Sequence, residues 1–186
     1  MGRPVRIISF DPGTNKTGVA ISEVSDDLTH IRIIHACTIN LDKMVRRDGS
    51  DKADQMGDKH AKLAILKQAA YRLIVAWAVD FACSESPYMG SFPSAYAALT
   101  ECLDTIRDAV HEYDPSMELY TIDPATVKKA MGVSGKSGDK NAMREAICSP
   151  FIEQQGLILE VDIDTMDEHA VDAGCVNYCY FRQHTG

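Results

Sequence analysis

The first forty residues alternate apolar, β-branched segments with short turns, and this alternation constrains the fold more than any other feature of the chain. Val5–Phe10 ends at the turn-forming segment 11–13, and Thr17–Val24 and Ile31–Ile39 have the same strand-forming composition. Because the connecting segments are short, we predict that these three strands form an antiparallel meander.

After residue 40 the pattern changes to helical and strand-like segments in alternation. In His60–Val79, apolar side chains recur every three or four residues, which is the spacing of an amphipathic helix. The predicted helices are His60–Val79, Pro93–His111, Pro124–Met131, Lys140–Ile147 and Asp167–Phe181, the predicted strands are Phe81–Ser84 and Glu118–Ile122, and the predicted loops are Leu41–Asp58 and Val133–Gly138. Three antiparallel strands followed by two parallel ones predict a mixed five-stranded sheet flanked by helices, in a single α/β domain covering residues 1–186.

The composition is that of an ordinary globular protein, with 45% hydrophobic and 25% charged residues. No run of about 18 apolar residues occurs, and the N-terminus lacks the pattern of a signal peptide. We therefore expect no membrane partner and a cytoplasmic location, in a bacterium or a phage-infected cell. The six cysteines include no CxxC pair, which favours buried, reduced thiols over a zinc site.

The net charge of −8 by itself argues against a nucleic-acid partner, but the charge is unevenly distributed. Residues 151–172 contain seven acidic and no basic side chains, whereas residues 121–146 contain five basic and three acidic ones. A protein that binds cations in one region and phosphates in another has this kind of distribution.

Two acidic residues come at the ends of predicted strands. Asp11 follows the first strand, and the Pro-Gly sequence after it turns the backbone away so that a phosphate can approach. Glu85 follows the fourth strand, where a charge next to buried residues must be paired, bound to a metal or exposed. If these strands are parallel neighbours, the two carboxylates emerge side by side. The alternative for Asp11 is that it only forms the turn.

A third acidic group opens the last predicted helix. His169 precedes Asp172 by three residues and Glu168 precedes it by four, so on a helix all three side chains can face the same way. Acidic residues also stabilise a helix N-terminus without binding any ligand, which is the alternative. Oxygen ligands with one imidazole suit Mg²⁺ or Mn²⁺, so the three groups together predict a site for two metal ions. One ion would activate water and the other would stabilise the leaving 3′ oxygen during attack on a phosphodiester.

Four segments resemble, in order, the motifs of the RuvC family of Holliday-junction resolvases, and together they extend from about residue 5 to 180. Residues 8–18 resemble the opening DPG-x-x-x-TG strand and turn, and residues 84–89 resemble the motif in which an aromatic residue follows an acidic one by three positions. Residues 123–129 and 132–140 resemble the P-x-x-V-K segment and the glycine-rich stretch with a later lysine. Residues 169–173 resemble the closing D/H-x-x-D-A helix.

The resemblance implies an RNase H-like fold and a metal-dependent endonuclease that nicks four-way DNA junctions in pairs, during recombination, repair or the processing of replication intermediates. It implies that Asp11 is shared by both metal ions and that Glu85 binds one of them. His169 and Asp172 would complete the other side of the site. Glu168 departs from the family pattern, and whether it or His169 is the metal ligand stays open.

The resemblance also implies DNA contacts and a homodimer. Tyr88 stands where the family has an aromatic side chain that stacks on bases at the branch point, the alternative being a tyrosine packed against the next helix. Its implied phosphate-binding residues are Lys128 and Lys140, with Lys129 and Lys136 as weaker candidates and solvated surface lysines as the alternative. For the dimer interface, the natural candidate is the apolar face of His60–Val79.

Three other functions are alternatives to this one. ATP-using proteins of the actin and sugar-kinase kind share the Asp-x-Gly-Thr pattern. They need a second, duplicated domain with another copy of that motif, which this sequence of 186 residues does not contain. No nucleotide cofactor is therefore expected. A YqgF-like nuclease acting on RNA fits the lysine-rich segment and the His169–Asp172 ending less well. A protein that binds junctions without cutting them would not need the complete set of acids.

Overall fold

The computed structural model describes residues 3–48, 50–89, 92–133 and 141–185, and these contain one mixed sheet with helices on both faces. The strands are β1 (Val5–Asp11), β2 (Lys16–Val24), β3 (Ile31–Asn40), β4 (Phe81–Glu85), β5 (Leu119–Ile122) and β6 (Leu157–Leu159). The helices are α1 (Leu41–Asp48), α2 (Ser50–Met56), α3 (Asp58–Trp77), α4 (Pro93–Tyr113), α5 (Pro124–Ala130), α6 (Ala142–Ile147), α7 (Pro150–Gln154) and α8 (Glu168–Thr185).

The order of the strands in the sheet is β5-β4-β1-β2-β3-β6. Strands β1, β2 and β3 are antiparallel, β4 is parallel to β1, and β5 is parallel to β4. The predicted mixed α/β fold, the meander and the parallel pairing of the first and fourth strands are confirmed. The strand number was wrong, because β6 adds a sixth strand parallel to β3. Its three residues are too few to show a strand period in the sequence.

Each face of the sheet is covered by its own hydrophobic core. On one face α8 packs across β1, β2, β3 and β4, with α5 and α6 packed beside it. On the other face α3 and α4 pack together, and α1 contacts α3. The apolar side of α3 is buried in this core through Ala61, Ile65, Leu66, Ala70 and Ile74. These side chains are therefore unavailable to a partner, whereas Leu63, Leu73 and Trp77 of the same helix are partly exposed, and the dimer interface stays a prediction.

The segment predicted as the loop Leu41–Asp58 is instead largely helical, forming α1 and α2. Leu41 and Val45 are one helical turn apart and are both buried, at 0% and 5% exposure. Asn40 caps this helix, because its Oδ1 accepts a hydrogen bond from the backbone N–H of Lys43 at 2.9 Å. The high polarity of the segment concealed this short apolar stripe. Helix α7 was also missed, although Ser149 caps it and Pro150 occupies its first position.

Helix α8 is held on the sheet by buried hydrogen bonds between side chains and backbone. Ser9 Oγ donates to the carbonyl of Ala173 at 2.7 Å, and Asn177 Nδ2 donates to the carbonyl of Ile7 at 3.2 Å. Ser22 Oγ donates to Asn177 Oδ1 at 2.6 Å. Since unpaired polar groups are costly in a core, these bonds fix where α8 lies along β1 and β2.

Gly18 in β2 allows the start of α8 to approach the sheet. A methyl group at this position would lie 1.9 Å from the carbonyl oxygen of His169 and 3.1 Å from the amide nitrogen of Ala170. These are backbone atoms, so the helix itself would have to move. The glycine of the opening motif therefore has a packing role that its sequence context did not reveal.

We expect Gly18→Ala to lower the free energy of unfolding by about 2–3 kcal/mol, because the new methyl group overlaps backbone. Gly174→Ala on α8 is the control, since its methyl group would meet only side-chain ends, with Ile147 Cδ1 the nearest at 3.0 Å. Denaturant unfolding compares the two variants. Equal losses would contradict the proposed contact between β2 and α8.

Within the described ranges, no helix combines the length and the apolar character needed to cross a membrane. All six cysteines are free thiols; Cys83, Cys102, Cys175 and Cys179 are buried, Cys37 is half-buried and Cys148 is exposed. The expectation of buried thiols is thus confirmed for four of them and wrong for Cys148.

Candidate active site

Two of the predicted carboxylates lie next to each other at one edge of the sheet. Asp11 is the last residue of β1, and Glu85 is the last residue of β4. These strands are parallel neighbours in which Phe10 lies opposite Ser84. Asp11 and Glu85 are the residues that follow this pair, so the two carboxylates end the two strands side by side. Asp11 is 14% exposed, and Glu85 is half-buried.

The first turns of α8 bring the remaining predicted residues to the same edge. His169 Nδ1 lies 3.0 Å from Asp11 Oδ2, which joins the helix to the end of β1. Asp172 is one turn further along and half-buried, and its charge helps to raise the pKa of Glu85, while the charge of Asp11 helps to raise the pKa of Asp172. Glu168 is more exposed, with Oε1 3.9 Å from His169 Nε2. The structure thus brings the five predicted site residues together from three distant parts of the chain.

The start of α8 is held in place by Asp167. Its Oδ1 accepts hydrogen bonds from the backbone N–H of Ala170, at 3.1 Å, and from the hydroxyl of Thr38 on β3. Lys16 Nζ lies 3.9 Å from the other carboxylate oxygen. Asp167 therefore orients the turn that carries His169. This role of Asp167 was not predicted, although an aspartate immediately before a helix is a common capping signal.

The two half-buried carboxylates, Glu85 and Asp172, have shifted pKa values. Burial, reinforced by repulsion from Asp11 and Asp172, raises the pKa of Glu85 from its usual 4.5 to about 8. Burial and repulsion from Asp11 likewise raise the pKa of Asp172 from 3.8 to about 6. The ammonium group of Lys128 opposes both shifts without cancelling them. Negative charge is therefore concentrated here beyond what the nearby cationic side chains compensate.

His169 responds to the same field in the opposite direction. Its hydrogen bond with Asp11 raises the pKa of the imidazole, and the charges of Asp167 and Glu168 add to the effect, while burial opposes it. A protonated His169 would neutralise part of the charge on Asp11. Because a metal ligand must be the neutral imidazole, cation binding at this histidine would compete with its proton.

The donor set and its electrostatics fit a divalent cation such as Mg²⁺ or Mn²⁺. Carboxylate oxygens with one imidazole are suitable ligands, and raised carboxylate pKa values mark negative charge that a cation would stabilise. The present side-chain positions fit less well. Among the described residues, no three histidine, cysteine, aspartate or glutamate side chains are arranged so that they could hold one ion. Binding by three of these groups therefore requires side-chain rotation, for example at the contact between His169 and Asp11.

Clefts adjoin the acids on several sides. One of about 210 Å³ is lined by Asp11, Glu85 and Tyr88, together with Leu99 of α4 and Pro124 of α5. Another of about 220 Å³ lies between Asp172 and Glu168 on α8 and Arg144 on α6. A larger groove of about 920 Å³ extends from Asp11 and His169 towards α1 and α4. The acids thus lie where these open clefts meet.

The predicted DNA-binding residues have different outcomes. Lys128 is half-buried on α5 near Glu85 and Asp172, and Lys129 is exposed on the same helix. Lys136 and Lys140 lie outside the described residues. Tyr88 is 74% exposed, so the alternative in which it packs against the next helix is wrong. Phe92, at 73% exposure, is a second exposed aromatic residue in this connection that sequence reasoning missed.

Solved structures of Holliday-junction resolvases have the same fold over nearly the whole chain. RuvC from Thermus thermophilus, solved in complex with a Holliday junction substrate, aligns with a TM-score of 0.67 and 13% identity, covering 97% of this chain and 98% of that one. The yeast mitochondrial resolvase aligns with a TM-score of 0.60 and 12% identity, covering 96% and 80%. The fowlpox virus resolvase aligns with a TM-score of 0.59 and 12% identity, covering 96% of this chain and 99% of the viral one.

No protein-family model matches the sequence, and no curated protein matches it significantly. At 12–13% identity the structural likeness establishes a shared fold, the RNase H-like fold of these resolvases. What this site does has to be argued from its own residues.

Proposed function

We propose that the chain is a metal-dependent endonuclease that resolves four-way DNA junctions by paired nicks. The observation that carries the proposal is the meeting of Asp11, Glu85, His169 and Asp172 at one edge of a sheet with the resolvase fold. The alignment over nearly the whole of the resolvase chains supports it, because the likeness extends beyond the strands and helix that carry these residues.

In this proposal the acids and His169 hold the cations, with Glu168 as an additional candidate ligand. When bound, divalent cations activate water for in-line attack and neutralise the charge that develops on the phosphate and the leaving 3′ oxygen. The products are a 5′-phosphate and a 3′-hydroxyl. Asp11 is central to the arrangement because it contacts His169 directly and acts on both Glu85 and Asp172.

Lys128 has a separate role in the proposal. Its ammonium group lies near two carboxylates and is only half-buried, so it can contact a phosphate oxygen that approaches them. The contact would keep the scissile phosphate from being repelled by the acids. Lys129, on the same helix and exposed, would bind a neighbouring phosphate.

Two symmetric nicks require two sites, and we propose that a homodimer supplies them. Each protomer would cut one of two opposite strands across the junction. We further propose a cytoplasmic location, in a bacterium or a phage-infected cell, where recombination and repair generate such junctions.

Incubating the purified protein with a synthetic mobile four-way junction tests the proposal. Mg²⁺ or Mn²⁺ should support symmetric nicks that yield ligatable duplexes, and a linear duplex of the same sequence should stay intact. Binding without nicking in either metal would favour a non-catalytic junction-binding protein. Preference for an RNA junction of the same sequence would favour the YqgF-like alternative.

We expect Tyr88→Ala to slow junction cleavage about tenfold while changing junction binding much less. An exposed aromatic ring next to the acids can stack on an unpaired base, which is worth roughly 1–3 kcal/mol. Tyr88→Phe keeps the ring and should cleave normally. Single-turnover cleavage measures the rates, and unchanged cleavage by the alanine variant would remove Tyr88 from the mechanism.

A further inference from the structure

The groove of about 920 Å³ beside Asp11 and His169 is formed largely by parts of the chain that the proposed function does not use. One side comes from the turn between β1 and β2 and from α1, including Lys16 and Arg46. Another comes from the first turns of α4. The groove is open to solvent and continuous with the acidic site, so a strand bound at Asp11 can extend into it.

Helix α1 is fixed firmly to the turn that follows Asp11. The backbone N–H of Leu41 donates to the carbonyl of Asn15 at 2.9 Å, and the Asn40 side chain caps the helix. The side chains of Leu41 and Val45 are buried in the core beneath. Arg46 is therefore carried by a helix whose position relative to Asp11 is set by packing and hydrogen bonds.

The acidic residue that α1 contributes to the groove, Asp42, is paired with a lysine of α3. Lys62 Nζ lies 2.6 Å from Asp42 Oδ1 and also contacts Asp58 at 2.9 Å and Asn15 Oδ1 at 3.0 Å. Lys62 is 16% exposed, whereas Asp42 is 39% exposed. The ammonium group offsets part of the charge of Asp42, which reduces its repulsion of a phosphate entering the groove.

The two cations of the groove are more available. Arg46 is exposed, and its Nε donates to the backbone carbonyl of Asp42 at 3.1 Å. No carboxylate among the side chains that the structure describes forms an ion pair with Arg46. Its terminal N–H groups can therefore donate bidentate hydrogen bonds to a phosphate. Lys16 approaches Asp167 only at 3.9 Å and is 43% exposed.

The strand order places these cations on the side of Asp11 away from Lys128. Asp11 ends β1, near the middle of the sheet; α1 follows β3 on one side, and α5, which carries Lys128, follows β5 on the other. A DNA strand that passes over Asp11 would meet Lys128 on one side and Arg46 on the other. Cations on both sides would offset the repulsion that a chain of net charge −8 exerts on DNA.

We propose that Arg46, together with Lys16, forms a second phosphate-binding subsite for the DNA strand that flanks the scissile phosphate. The proposal rests on the proposed junction-binding function and identifies which surface holds the substrate. Its ligand is the sugar–phosphate backbone rather than a base, so the contact is independent of sequence.

Measuring junction affinity as a function of salt tests the subsite, with Ca²⁺ present to prevent cleavage. Each phosphate contact contributes about −0.9 to the slope of log K against log salt, so Arg46→Gln should make the slope less steep by about 1. The same relation predicts roughly eightfold weaker binding at 0.1 M salt. Adding Lys16→Gln should remove about one further unit of slope.

Lys43→Gln is the matched control, because it removes the same charge from an exposed position on the same helix that does not line the groove. Its slope should equal that of the wild type. A wild-type slope in Arg46→Gln would overturn the subsite, and so would an equal loss in Lys43→Gln, which would indicate a general effect of net charge. If the wild type neither binds nor nicks junctions, the proposed function itself fails.

Discussion

Asp11→Asn is expected to lower the rate of junction cleavage by about 1000-fold while leaving junction affinity nearly unchanged. Asp11 is the proposed ligand common to both cations, and it lies between Glu85 and His169 at the end of β1. An amide has the same shape but no negative charge, so the stabilisation that bound cations give to the transition state is lost. The phosphate contacts proposed for Lys128 and Arg46 do not depend on this carboxylate.

Single-turnover cleavage at saturating protein, with a parallel binding assay, measures both quantities. Asp26→Asn in the exposed turn between β2 and β3 makes the same chemical change away from the site and should behave like the wild type. Undiminished nicking by Asp11→Asn would refute the metal-site assignment. Loss of binding in step with cleavage would instead assign Asp11 a role in holding the DNA.

Glu85→Gln is expected to stabilise the metal-free protein at pH 8 by about 2–4 kcal/mol and to have little effect at pH 5. The pKa of Glu85 is raised by burial and nearby carboxylates to about 8, so the folded state favours the protonated form. A raised pKa contributes stability that is present below the unfolded value of 4.5 and is lost as pH rises towards 8. Glutamine mimics the protonated carboxyl at every pH and so escapes the loss.

Thermal unfolding in chelator at pH 5 and pH 8 measures the effect, with Glu153→Gln at an exposed position of α7 as the control. Adding Mg²⁺ or Mn²⁺ at pH 8 should raise the melting temperature of the wild type, because a cation offsets the buried charge, and should raise that of Glu85→Gln less. The electrostatic account of the site would be contradicted if the wild type were equally stable at pH 5 and pH 8 and Glu85→Gln had the same stability as the wild type at both.

Most of the fold could be predicted because its elements carry regular local signals. The meander of β1, β2 and β3 appears as three β-branched segments, and α3 has apolar residues at helical spacing. The elements that were missed are those whose signal is short or mixed. Helix α1 shows only Leu41 and Val45 on its apolar side, and β6 has three residues and is identified by its pairing with β3.

The same division holds for the site. Residues in recognisable motifs, such as Asp11, Glu85 and Asp172, could be named in advance from their place at a strand end or on a helix. Arg46, of the proposed phosphate-binding subsite, could not, because it lies in the segment predicted as a loop. The exposure of Phe92 could not be predicted either, because it results from the packing around α4 and no local sequence pattern indicates it.

The sequence by itself determined which residues could carry chemistry, because side-chain type and local spacing are properties of the chain. It could not determine how far apart those residues lie. The tertiary structure decided that, through the parallel pairing of β1 with β4 and the close approach of α8 to β2 at Gly18. Packing also decided the acidity of Glu85 and Asp172, since burial and neighbouring charge arise only when distant segments are brought into contact.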